Sequence, residues 1–76
     1  MNIIIEDAET LQYLAGNGRW SKNAGDGKTF RTTEVAFQTA KNEPIGGFNI
    51  VSYIAQTRQL VNMDHGRGKG LAAAPA

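Results

Sequence analysis

Apolar side chains recur along this chain with two periods. Most stretches follow the alternation of strands, and one follows the turn of a helix. Asn2-Ile3-Ile4-Ile5 is a β-branched run closed by Glu6-Asp7, which predicts a strand over residues 2–5. Leu11-Gln12-Tyr13-Leu14 and Arg19-Trp20-Ser21-Lys22 lie on either side of Ala15-Gly16-Asn17-Gly18. Asn-Gly tolerates the positive φ that tight hairpin turns require, so residues 11–14 are expected to pair with 19–22. Asn23-Ala24-Gly25-Asp26-Gly27 is loop chemistry again, and Lys28-Thr29-Phe30-Arg31 leads out of it.

A helix is predicted over residues 32–41. Thr32 can cap the free N–H groups of its first turn, Glu34 adds negative charge there, and Lys41 places positive charge at the far end. Ala36, Phe37 and Ala40 gather on one narrow face suited to lying close on a sheet. Glu43-Pro44 stops the helix, because the residue before proline is pushed out of the α region. So short a helix is stable only when docked. Residues 48–63 fit two patterns. As a strand, 48–54 places Phe48, Ile50 and Ile54 on one face with Val51 and Tyr53 on the other; as a helix, Ile50, Ile54 and Val61 share a stripe that Arg58 interrupts. The β-branched and aromatic residues of 48–54 and the preceding Gly46-Gly47 favour a strand, a turn at 55–57 and a second strand at 58–63.

The order strand, hairpin, helix, hairpin predicts an α+β fold: an antiparallel sheet of four to five strands with one short helix packed on one face, forming a single domain over residues 1–65. Alternating Gly66, Gly68 and Gly70 raise the entropic cost of ordering the C-terminal end, so residues 66–76 are expected to form a flexible Gly/Ala-rich tail. The helix covers one face only. The other is expected to carry Val51, Tyr53 and some of Tyr13, Trp20 and Leu60, more apolar surface than a monomer ordinarily leaves in water. Val51, Tyr53 and Leu60 are therefore the candidate self-association surface, hidden in a homodimer that stacks sheet on sheet or joins sheet edges.

Composition narrows the function. The chain has 76 residues, no cysteine and a formal charge of +1. It has no material for a disulfide or a thiolate nucleophile, and too little net charge to announce a polyanion partner. A hydrophobic content of 41% is compatible with a folded domain. The first residues lack the basic start and long apolar stretch of a signal peptide, and no apolar run approaches the about 20 residues of a membrane span. A cytoplasmic protein without membrane partners is expected.

Charge is nevertheless uneven. Residues 1–18 hold Glu6, Asp7 and Glu9, whereas residues 19–31 hold Arg19, Lys22, Lys28 and Arg31 against Asp26 alone. Tyr13, Trp20 and Phe30 interleave with those cations, a combination that single-strand nucleic-acid surfaces use for phosphate neutralisation and base stacking. Arg19, Trp20, Lys22, Lys28 and Arg31 are thus the candidate surface for weak nucleic-acid or partner binding. The opposed charges equally permit self-association.

Motifs for catalysis are thin. Gly25-Asp26-Gly27-Lys28-Thr29 ends like a phosphate-binding loop, but Lys22 occupies the position where that loop needs its first glycine. Gly16-Asn17-Gly18 has Ser21 where a dinucleotide fingerprint needs its third glycine. Asp64-His65 offers one histidine without converging ligands, and Glu6, Asp7 and Glu9 are close enough in sequence to repel and face water.

The run Tyr13-Leu14, Trp20-Ser21, Phe30-x-Thr32-x-x-x-Ala36-x-x-x-Ala40 and Phe48-x-Ile50-Val51 resembles small uncharacterised bacterial and phage proteins built as a β-β-α-β module. The resemblance spans about residues 11–54 and implies a bacterial or phage setting and a fold, with no shared chemistry. Taken together, the residues predict a small non-catalytic module without catalytic, cofactor or metal site, whose partner is a second copy or another protein. Weak single-stranded nucleic-acid binding is the alternative.

Overall fold

The computed structural model describes residues 2–69. Five strands form one antiparallel sheet: β1 (Asn2–Asp7), β2 (Tyr13–Leu14), β3 (Trp20–Ser21), β4 (Gly47–Ile54) and β5 (Gln59–Arg67), in the order β3-β2-β1-β4-β5. One helix, α1 (Thr33–Lys41), packs on one face. The α+β architecture expected from the residue pattern is the observed one, and residues 48–63 are extended on either side of their turn. Thr32 accepts the Val35 N–H at 3.1 Å as the N-cap, while Ala36 and Ala40 are the buried helix positions.

β1 is central because its three isoleucines can be buried from both sides. Ile5 and Ile50, paired across β1 and β4, face the helix with Phe48, Leu14, Ile45, Ala36 and Ala40; Ile3, Trp20, Phe30 and Phe37 pack around them. Ile4 and Val51, the neighbouring pair, point the other way and join Tyr13, Ala24 and Tyr53. Full burial of one such aliphatic or aromatic side chain contributes about 1.5–3 kcal/mol, so these few positions carry the fold.

The first hairpin is shorter than the sequence predicts. Asp7 accepts the Glu9 N–H through its Oδ1, and its carbonyl accepts the Leu11 N–H. This tight turn holds Leu11 at φ 60, outside the extended region, so β2 begins at Tyr13 instead of residue 11. At the next turn only Gly18 takes a positive φ (83); Asn17 instead accepts the Arg19 N–H through its side chain. Ala15 and Arg19 close a three-residue loop.

Residues 27–30 then wedge between the diverging ends of β1 and β2. The Lys28 N–H donates to the Leu14 carbonyl at 2.7 Å and the Phe30 N–H to the Ile3 carbonyl at 2.8 Å. A Cβ on Gly27 would stand 3.0 Å from Ile4 Cγ2, so this loop presses directly on the second face. That face is accordingly less bare than expected: the chain's own residues 24–27 cover Ile4 and help bury Val51. Trp20 is not on it at all, because its register partner Leu14 faces the helix.

The last strand also differs. It starts at Gln59 and runs to Arg67, past the boundary where a tail is expected. Gly68 donates to the Gly46 carbonyl at 2.7 Å and Lys69 to that of Glu43 at 2.9 Å. The alternating glycines are the reason for this continued pairing. A two-residue spacing puts Gly66 and Gly68 on one face of the chain, and here that face meets Phe37, Phe48 and Ile45. A Cβ on Gly66 would lie 2.8–2.9 Å from the rings of Phe48 and Phe37. One on Gly68 would lie 2.6 Å from the carbonyl oxygens of Glu43 and Ile45. The rest of the expected tail, 70–76, lies outside the described residues.

Candidate interaction surface

β5 is paired with β4 on one side and, among the described residues, with no strand on the other, so a row of backbone N–H and C=O groups faces outward. The opposite edge, β3, is only two residues long, and the Ser21 hydroxyl donates to Asp26 at 3.0 Å to turn the chain back over it. Shortness is one of the usual protections of a sheet edge; charge, proline and bulges are others. β5 has nine residues and divides at an irregularity where Ile50 pairs with Asp64 but Val51 with Asn62, leaving Met63 as the extra residue. After that bulge come Asp64, His65 and Arg67. Before it, Gln59-Leu60-Val61-Asn62 carries no charge and no proline.

The apolar side chains of this unguarded stretch lie on both faces. Leu60 pairs with Tyr53 on the face away from the helix, and Val61 with Ser52 on the helix face. Leu60 is 43% exposed, Val61 51% and Met63 47%. Beyond the bulge the strand is held differently, with Gly66 seated against Phe37 and Phe48, whose rings meet edge to face with centroids 5.2 Å apart.

Of the residues singled out for self-association, Tyr53 and Leu60 are brought together and remain accessible. Val51 does not: at 4% exposure it is core, shielded within the Ile4–Tyr13 cluster. Val61 and Met63 escape the sequence pattern because nothing in a single strand reveals whether a further strand lies beside it. The available signal is topological: because β4 is the strand that pairs with central β1, its hairpin partner β5 is left at the edge.

The basic hairpin is assembled in part. Arg19, Lys22, Lys28 and Arg31 are exposed, and Lys28 Nζ sits 5.5 Å from the Phe30 ring centroid. Trp20 is half-buried and packs on the helix-side core. Its ring therefore serves packing, and the cluster lacks the free aromatic platform that base stacking uses. The phosphate-loop-like segment has its backbone donors committed: the N–H groups of Gly25, Asp26, Gly27 and Lys28 donate to Asn23 Oδ1, Asn23 O, Ala24 O and Leu14 O.

The structure also forms a polar strip that sequence spacing does not reveal. Glu6 pairs with Tyr13 on one side and with Asn49 on the other, and Asn49 Nδ2 donates to Glu6 Oε1 at 3.1 Å. His65 is the register partner of Asn49, so a Tyr-Glu-Asn-His row crosses the sheet on the face away from the helix. Burial, then the nearby Glu6 carboxylate, raises the Tyr13 phenol above its usual range. The strip runs across β2, β1, β4 and β5, with side-chain hydrogen bonding centred on Glu6. Two shallow depressions flank α1, one lined by Thr33, Glu34, Phe37, Gln38 and Asp64, the other by Glu34, Val35, Gln38, Thr39 and Asn42. Among the described residues no cluster of His, Cys, Asp or Glu is placed to hold a metal ion, and no helix is long and apolar enough to cross a membrane. Comparison with known proteins finds no match to this chain among family models, curated proteins or solved structures.

Proposed function

We propose that this protein is a non-catalytic interaction module that self-associates through the outer edge of β5. The observation that supports it is the unguarded first half of that nine-residue strand, where outward backbone groups coincide with exposed Leu60 and Val61. Strand addition satisfies such an edge, main-chain hydrogen bonds giving affinity and adjacent apolar side chains giving selectivity. The contact is small, so association in the micromolar range is expected, at the weak end for specific interfaces. Sedimentation velocity over a range from low to high micromolar tests it. The sedimentation coefficient should rise with concentration for the native chain and stay at the monomer value for Val61→Lys, which forces an ammonium group into the contact. A native chain that remains monomeric at high micromolar concentration overturns the proposal.

A further inference from the structure

We infer that the Asn17-Gly18 turn is a self-modification site, where the Gly18 backbone nitrogen attacks the Asn17 side-chain amide and turns it into a carboxylate. This does not depend on self-association. A bond forms between the Gly18 nitrogen and Asn17 Cγ as the Cγ–Nδ2 bond breaks, and the amide nitrogen leaves with the Gly18 proton as ammonia. The product is a cyclic imide. Water then opens the ring at either carbonyl. One opening leaves an aspartyl residue at position 17, the other an isoaspartyl residue whose main chain runs through the former side chain.

This is the one place where glycine follows asparagine. The other five asparagines precede Ile3, Ala24, Glu43, Ile50 and Met63, whose side chains crowd the attacking nitrogen. Residues 16–19 are exposed, and nothing lies within 4 Å of where a Cβ on Gly16 or Gly18 would stand. Asp26-Gly27, the comparable acid–glycine pair, is fixed in place instead. A Cβ on Gly27 would stand 3.0 Å from Ile4 Cγ2, and Asp26 Oδ2 accepts the Ser21 hydroxyl.

The closed turn holds both reactants back. The Gly18 N–H donates to the Ala15 carbonyl at 3.0 Å, and Asn17 Oδ1 accepts the Arg19 N–H at 2.9 Å. Reaction therefore waits until these two bonds open. The Ala15 N–H bond to the Arg19 carbonyl (2.7 Å) lies below them and can stay made, so the opening is local and leaves the core intact. The aspartyl product keeps an oxygen for the Arg19 N–H and lowers the formal charge of +1 by one, beside the basic residues of 19–31. The isoaspartyl product adds a main-chain carbon to the three-residue loop and loosens its closure.

Peptide mapping by mass spectrometry during incubation of the intact protein at mildly alkaline pH tests the inference. Aspartyl and isoaspartyl products should both accumulate at position 17, ahead of any change at the other asparagines. Conversion in the folded chain should be about tenfold or more slower than in concentrated urea, as for a turn open about a tenth of the time or less. Low urea, below the unfolding transition, should leave the rate unchanged, because local opening exposes little surface. In concentrated urea, where the fold plays no part, Gly18→Ala should slow conversion severalfold by shielding the nitrogen. An aspartyl product alone would show direct hydrolysis and overturn the ring route. The inference is equally overturned by a folded chain that stays unconverted while the denatured one reacts fully, by equal rates in the two, or by a rate that climbs from the first additions of urea.

Discussion

The two halves of β5 use opposite resources. Its C-terminal half is poor in side chains and tightly held: Gly66 lies under Phe37 and Phe48, and Gly68, just beyond it, passes over the carbonyls of Glu43 and Ile45. Its N-terminal half offers Leu60 and Val61, side chains well suited to a core, and leaves them about half exposed. In this strand the small residues do the packing and the large ones face solvent. Anchoring one half against the helix presents the other as an edge that, among the described residues, no further strand covers, which is what strand addition needs.

The largest expected effect breaks the anchored half. Gly66→Ala forces a methyl group between two rings and should cost about 2–3 kcal/mol in urea-induced unfolding, as overpacking does. Gly16→Ala, at a turn with nothing within 4 Å of its Cβ position, should be nearly neutral. Equal effects at the two glycines would mean that the β5 glycines are not packed. A second substitution separates exposure from binding. Leu11 is 60% exposed, like Val61 an apolar residue in solvent, but it sits at φ 60 where glycine is at ease. Leu11→Gly should therefore stabilise the monomer by about 1 kcal/mol and leave self-association unchanged, as unfolding curves and sedimentation would show.

The polar strip gives a smaller, pH-dependent effect. Tyr13 has its folded-state pKa raised, so the stability tied to its neutral phenol declines as pH rises past the unfolded value of 10.0, because the unfolded chain ionises first. Tyr13→Phe should flatten the decline in thermal midpoint above that pH, while the native decline persists if another group is responsible. The smallest stability change belongs to the free half of β5. Val61→Lys should alter monomer stability by about 0.5 kcal/mol or less, measured well below the dimerisation range, because its side chain is already largely in water. A large loss there would place Val61 in the core and remove the contrast between the halves.

Much of this fold is legible in the residues. Thr32, Ala36 and Ala40 identify the helix and its buried face, and the β-branched character of residues 48–54 identifies β4, because capping and periodicity are local properties. The misplaced features depend on what lies across the sheet. Gly66 and Gly68 read as flexible when only backbone entropy is weighed, and become anchors once Phe37, Phe48 and Ile45 are opposite them. Val51 reads as a face awaiting a partner until residues 24–27 fold onto it. The strand pattern alone places Leu60 beside Tyr53 on the face away from the helix, whereas Val61 needs the strand order to place it on the outer strand.

Residue-resolved amide hydrogen exchange at several protein concentrations tests the division of β5 most directly. Gly68 and Lys69, which donate to Gly46 and Glu43, should be protected at every concentration. Outward-facing amides between Gln59 and Asn62 should exchange freely when dilute and gain protection as the protein is concentrated. Free exchange at Gly68 and Lys69, or exchange at 59–62 that ignores concentration, would contradict the account.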